Sequence, residues 1–204
     1  MKDIVFNRGR GGLGRALDGN DHISGLVIEM ANANIPAPLI AAGLFAKIFS
    51  VQDAEDLGIA YSASTDNLEL DSLKYAIDSI YEMNEKAVVY LAVADADADP
   101  AVTVATELLT LQNQADGEVR QALLLAPSKD FAIGDLAPIQ ASCDTLEGLH
   151  KPLSVIYSAN FVGITMASSD LRGLDNKNVS VVGAMDGNGV GAGLFATYNK
   201  TITA

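Results

Sequence analysis

The chain has 204 residues, 26 acidic and 13 basic side chains, a formal net charge of −13 and 49% apolar residues. This size and apolar content suit one large domain or two small ones around a buried core, and exclude general disorder. The charge excludes a broad phosphate-neutralising face, and the single cysteine, Cys143, excludes an internal disulfide.

The first residues form a distinct segment. Residues 1–15 carry Lys2, Arg8, Arg10 and Arg15 against Asp3 alone, and are punctuated by Gly9, Gly11, Gly12 and Gly14. Such a stretch has little apolar surface to bury and much backbone entropy to lose, so residues 1–21 read as an extended basic arm. Its charge complements the acidic remainder, within one subunit or between neighbours.

Residues 22–204 read as the body. The run at 23–30 (Ile-Ser-Gly-Leu-Val-Ile-Glu-Met) predicts a strand, broken by Asn32, Asn34, Pro36 and Pro38. Residues 39–49 are compatible with strand, helix or both. Ser50 is placed to cap a short helix that Gly58 stops, and Asp66-Asn67 to cap a longer one over 68–84. In the longer helix Leu70, Leu73, Ile77, Ile80 and Tyr81 recur at three and four, giving one buried stripe.

The second half continues the alternation. Ala87–Ala94 is continuously apolar, as in a strand covered on both faces. Pro100 suits the first turn of a helix over 99–114, and Gly117 ends that segment. Val119–Ala126 predicts a second covered strand closed by Pro127. A helix over 134–148 follows, with Leu136, Ile139, Leu146 and Leu149 on its apolar side. Leu153–Tyr157 predicts a third covered strand and Val179–Gly183 a fourth strand, and a Gly-rich turn at 187–193 leads into Leu194-Phe195-Ala196. Alternating apolar strands and short helices predict an α/β fold of three layers, with a mostly parallel sheet, helices on both faces and right-handed crossovers. Residues 190–204 read as the opening of a helix without a stop signal, as in a helix that frays at a terminus or, the favoured reading, in a piece of a longer protein.

The chemical motifs are incomplete. Asp95-x-Asp97-x-Asp99 begins like a calcium loop, but Pro100 stands where the sharp turn needs Gly, and Thr106 where a bidentate Glu is required. The expectation is therefore a solvated loop at Asp95 and Asp97, with Asp99 capping the next helix. Gly9-x-Gly11-x-x-Gly14 has dinucleotide spacing, and Glu29 lies 20 residues after Gly9, but too few residues follow before the next strand for a crossover helix.

Gly187-x-Gly189-x-x-Ala192 follows a strand and opens a helix, where a phosphate would fit, although Asp186 would repel it. His22 and His150 are the only histidines. Cys143 and His150 lie about two helical turns, ~10 Å, apart on one predicted helix, which favours a buried thiol and a surface imidazole over a dyad. No complete catalytic, cofactor-binding or metal-binding constellation is expected.

Taken as an ordered set, several segments resemble a known family. They are the Gly-rich arm, Ile23–Ile28, Phe49–Ile59, the amphipathic helix 68–84, Ala87–Val93 and Val179–Gly183 with its Gly-rich continuation. Together they are similar to the sheath proteins of contractile phage tails and related injection machines, over about residues 20–200.

The resemblance implies a structural, non-enzymatic subunit. It would polymerise with itself in rings or a helix around a tail tube protein, and contract to drive the tube through a cell envelope. It implies no cofactor, no nucleic acid and no membrane insertion. It implies synthesis in a bacterial cytoplasm and assembly in a virion tail or tail-like particle. Family members link neighbours through terminal arms that add strands to adjacent sheets. They usually continue into a C-terminal domain, beyond the region matched here. The alternative from the residues alone is a doubly wound α/β nucleotide- or cofactor-binding module or enzyme, with its ligand near Gly187–Gly193.

Overall fold

A computed structural model describes residues 22–62, 67–96, 104–160, 171 and 175–182. Its elements in chain order are β1 (Ile23–Met30), a 3-10 turn (Asn32–Asn34), α1 (Ala37–Ala41), β2 (Phe45–Ile48), α2 (Val51–Asp56) and α3 (Leu68–Met83). There follow β3 (Val88–Asp95), α4 (Val104–Gln114), β4 (Gln121–Asp130), a 3-10 turn (Ile133–Asp135), α5 (Leu136–Gly148), β5 (Ser154–Asn160) and β6 (Val179–Val181). The fold is α/β with a six-stranded, mostly parallel sheet in the order β2-β3-β1-β4-β5-β6. Among the described strands only β2 runs antiparallel, against β3.

The helices begin where side chains can satisfy free backbone donors. Ser50 accepts a hydrogen bond from the Asp53 amide at 3.1 Å, and Asn67 from the Leu70 amide at 3.0 Å. α2 stops at Gly58, whose φ of +81° is left-handed; a Cβ there would also meet Pro36 Cβ at 2.9 Å. Residues 39–49 resolve into both candidates, the end of α1 and then β2.

The order of strands explains the layers. From β1 the chain crosses to β3 on one side of the sheet, then back over β1 to β4 and β5 on the other. Crossovers of one hand that reverse direction must put their helices on opposite faces. α1–α3 thus pack on one face around Leu26, Ile28, Leu73, Ile77, Leu91 and Val93. α4 and α5 pack on the other around Val27, Leu108, Leu111, Leu124, Ile139 and Tyr157. Central strands covered on both faces read as largely apolar runs because few of their residues reach water.

Gly25 lets β1 sit under α4. A Cβ there would lie 3.0 Å from Val119 Cγ1 and 3.1 Å from both Ala122 Cβ and Leu111 Cδ2. Ser142 ties the two helices of that face by donating to the Ala105 carbonyl at 2.8 Å.

Three expectations are corrected. Pro127 does not close β4, which runs on to Asp130; the ladder with β1 ends at Leu125, and the register with β5 shifts between Ala126 and Asp130, so the missing N–H breaks no ladder bond. β5 is not covered throughout, because Ile156 is 43% exposed towards the sheet's β6 end. β6 is likewise half-exposed, as an edge strand. Leu149 is 56% exposed at the C-cap of α5; the buried stripe is Leu136, Ile139, Cys143 and Leu146, and Leu149 falls just past the last turn that touches the sheet. The arm at 1–21, the start of the helix expected from residue 99, Pro100, and everything after Val182 lie outside the described residues.

Candidate functional site

In an open doubly wound sheet, ligands sit outside the carboxyl ends of the strands, where the strand order reverses. Here that point lies between β1 and β4. The loop leaving β1 is held by α3 and β3. Glu69, buried in the first turn of α3, accepts from the Ala31 amide and from Asn34 Nδ2, each at 3.0 Å. Asp95, at the end of β3, accepts from Asn32 Nδ2 at 2.8 Å, and the Ala96 amide donates to the Met30 carbonyl at 3.0 Å.

The β4 and β5 side is built around Asp135. Its carboxylate pairs with Lys129 Nζ at 2.9 Å and accepts from Tyr157 Oη at 3.2 Å. Asn160 Nδ2 donates to Asp130 at 3.1 Å, and the Phe131 amide to the Asn160 carbonyl at 2.7 Å. Burial pushes the Glu29 carboxyl above its usual range; Lys129 opposes this, while Asp135 and Glu69 add to it. Burial and the neighbouring Asp135 also raise the Tyr157 phenol, which therefore stays a neutral donor.

The chemistry of this end is acidic. Glu29, Glu69, Asp95, Asp130 and Asp135 stand against Lys129, a balance that disfavours a phosphate. Each of the named carboxylates except Glu29 accepts a hydrogen bond from the fold itself. Among the described residues no group of three or more His, Cys, Asp or Glu side chains is arranged to hold a metal ion.

Asp95 is a correction. The expected solvated loop begins instead with a carboxylate 6% exposed and bound to Asn32. The cause is the parallel pairing of Met30 with Asp95, which places the end of β3 beside the Asn-rich turn after β1. Asp97 and Asp99 lie outside the described residues, as do both glycine motifs, at 9–14 and 187–192. Cys143 is fully buried and His150 exposed, as expected for a packed thiol and a surface imidazole. Burial, with Asp144 nearby, lifts the Cys143 thiol to about 11, so it holds its proton at neutral pH. His22 is exposed at the start of β1.

Glu69 and Asp135 were not singled out by the sequence. Glu69 follows a capping Asn as an ordinary first-turn acid, and Asp135 sits in a turn. Their roles depend on partners 38 and 22 residues away.

The two sheet edges are the other notable surfaces. Among the described strands the sheet ends on β2 at one side and β6 at the other. Beside β2, Lys47 Nζ sits 4.6 Å from the Tyr90 ring centroid and 5.6 Å from that of Phe49, which is 56% exposed. β6 is secured through Asn178, which exchanges hydrogen bonds with Gln140.

The chain matches no protein-family model, and no curated protein matches it. No helix among the described residues is long and apolar enough to cross a membrane.

Proposed function

We propose that the chain is a structural subunit of a contractile tail sheath, which polymerises around a tail tube and acts through changes in packing between copies. The observation that carries this reading is the open sheet, which ends among its described strands on the antiparallel β2 and the short β6. Unpaired strand edges are templates for a strand from another chain. The acidic body and the basic segment 1–15 supply complementary charge for such a contact. The family resemblance of the ordered segments supports the same reading.

Repeated head-to-tail contacts that do not close on themselves build a helical polymer. A polymer of this kind releases energy by moving from one packing to a better one, with no bond cleaved in a nucleotide. The test is electron microscopy of the full-length protein at high concentration. Rings or tubes are expected; deleting residues 2–15 should weaken them, and raised salt should loosen them. Monomers alone at high concentration would overturn the reading.

One observation favours a second reading, a nucleotide- or cofactor-binding module. The five parallel strands, numbered among themselves along the chain, lie in the doubly wound order 2-1-3-4-5, which creates a crevice between β1 and β4. A thermal-shift screen with nucleotides and flavins separates the two: saturable stabilisation by one compound supports the module, and none supports the sheath subunit.

A further inference from the structure

We propose that the basic N-terminal segment 2–15 docks on its own subunit, in the groove between the start of α2 and the end of α3. The groove is a shallow opening of about 470 Å³ lined by Ser50, Val51, Asp78, Tyr81, Glu82 and Glu85. Its lining is mainly apolar, with carboxylates at the α3 side. Asp78 is already engaged by Lys74 Nζ at 2.7 Å. Glu82 and Glu85 are exposed and have no ion-pair partner among the described residues, although Lys86 adjoins them in sequence. Asp53 and Asp56 on α2 extend the negative field, while Glu55 is paired with Lys74.

Segment 2–15 is the complementary partner. Ile4-Val5-Phe6 provides apolar surface, and Arg8, Arg10 and Arg15 provide planar guanidinium groups suited to carboxylates. Position argues for the same subunit. Ile23 pairs with Val88, so the chain enters β1 at the end of the sheet where α3 hands over to β3. Glu85 is three residues before Val88, and Tyr81 bonds to Ile48, whose Cα partner is Val89. The arm thus joins the body at the same end of the sheet as the groove. Residues 16–21 are a six-residue tether that reaches about 20 Å when extended. A tether this short holds the segment at high effective concentration over the groove, favouring it over the arm of a second copy.

This inference does not rest on the sheath reading: it concerns the free, unassembled subunit, and if copies assemble through segment 1–15 the arm must first leave this groove to reach a neighbour. Trypsin cleavage after Arg15, followed by mass spectrometry on the full chain at low salt, tests it. Glu82→Lys with Glu85→Lys should speed cleavage about tenfold, or about 1.4 kcal/mol of docking. Glu82→Gln with Glu85→Gln should speed it less, and serves if the reversal perturbs the circular dichroism of the fold. Adding Arg8→Glu and Arg10→Glu to the double reversal should restore slow cleavage. Below the concentration at which copies assemble, the wild-type rate should not depend on protein concentration. Equal cleavage of wild type and both double variants overturns the proposal. So does a charge swap that fails to restore protection, which would assign the effect to overall charge. Protection that grows with concentration within that unassembled range also overturns it, placing the arm on another copy.

Discussion

Gln140 and Asn178 exchange hydrogen bonds across α5 and the approach to β6. Gln140 Nε2 donates to Asn178 Oδ1, and the Asn178 amide donates to Gln140 Oε1, each at 3.0 Å. Asn178 Nδ2 also reaches the Leu153 carbonyl at 3.3 Å. One buried glutamine thereby fixes the residue just before a three-residue edge strand. Replacing Gln140 by Ala should free β6 locally, at a cost of about 1 kcal/mol. Hydrogen exchange should accelerate at Val179–Val181 with little change at β1 and β3; uniform acceleration across the sheet would contradict this.

Gly25→Ala should destabilise the fold by about 1–3 kcal/mol, since the new methyl presses on Val119, Ala122 and Leu111 at 3.0–3.1 Å. Urea unfolding should show a lower midpoint at an unchanged slope. Leu111→Ala in the same chain should recover part of the loss from Gly25→Ala, because it removes one of the three obstructions.

The Lys74 side chain is 6% exposed, and its ammonium lies 3.1 Å from Glu55 and 2.7 Å from Asp78. Burial alone would lower its pKa; the hydrogen bonds it donates to Asp78 and Glu55, with their negative charge, together outweigh burial and raise it. Removing both carboxylates with Glu55→Gln and Asp78→Asn leaves a buried, unpaired charge and should cost about 3–5 kcal/mol. Lys74→Met should cost less, since the two carboxylates are partly exposed and can rehydrate. Denaturant titrations that reverse this ranking would show that packing of the lysine stem dominates.

Alkaline pH should weaken the fold. Burial, with Asp53 nearby, lifts the Tyr81 phenol to about 12. Its native pKa lies above its unfolded value of about 10, so its contribution is full below pH ~10 and is lost as pH rises towards 12, where the unfolded chain ionises first. Lys74 and Tyr157 shift in the same direction and add to the slope. Tyr81→Phe should cost about 1–2 kcal/mol at pH 7, by orphaning the Ile48 carbonyl that accepts its hydroxyl at 2.7 Å, and should flatten the fall in urea midpoint between pH 9 and 11.5. An equally steep fall in the variant would place the alkaline transition elsewhere.

Much of the architecture was legible because its causes are local. Asn67 and Ser50 cap helices a few residues downstream, and Leu73, Ile77 and Tyr81 mark one helical face by spacing alone. The site was less legible. Glu69 looks like any acid in a first turn until Ala31 and Asn34 arrive beside it, and Asp95 looks like a loop residue until Asn32 does. Leu149 and Ile156 fitted the apolar pattern yet lie on the surface, because pattern does not report where a neighbouring layer ends.

By itself the sequence determined the alternation of strands and helices, the α/β class, the opposition of a basic first segment to an acidic body, and the burial of Cys143. These follow from side-chain period, backbone capping and charge, which act within a few residues or do not depend on arrangement. Only the tertiary structure decided that β1 lies at the centre, that β2 turns back antiparallel at an edge, and that β4 continues past Pro127. Strand neighbours are chosen by crossover handedness and by total burial over the whole chain, and no short window of sequence holds that sum.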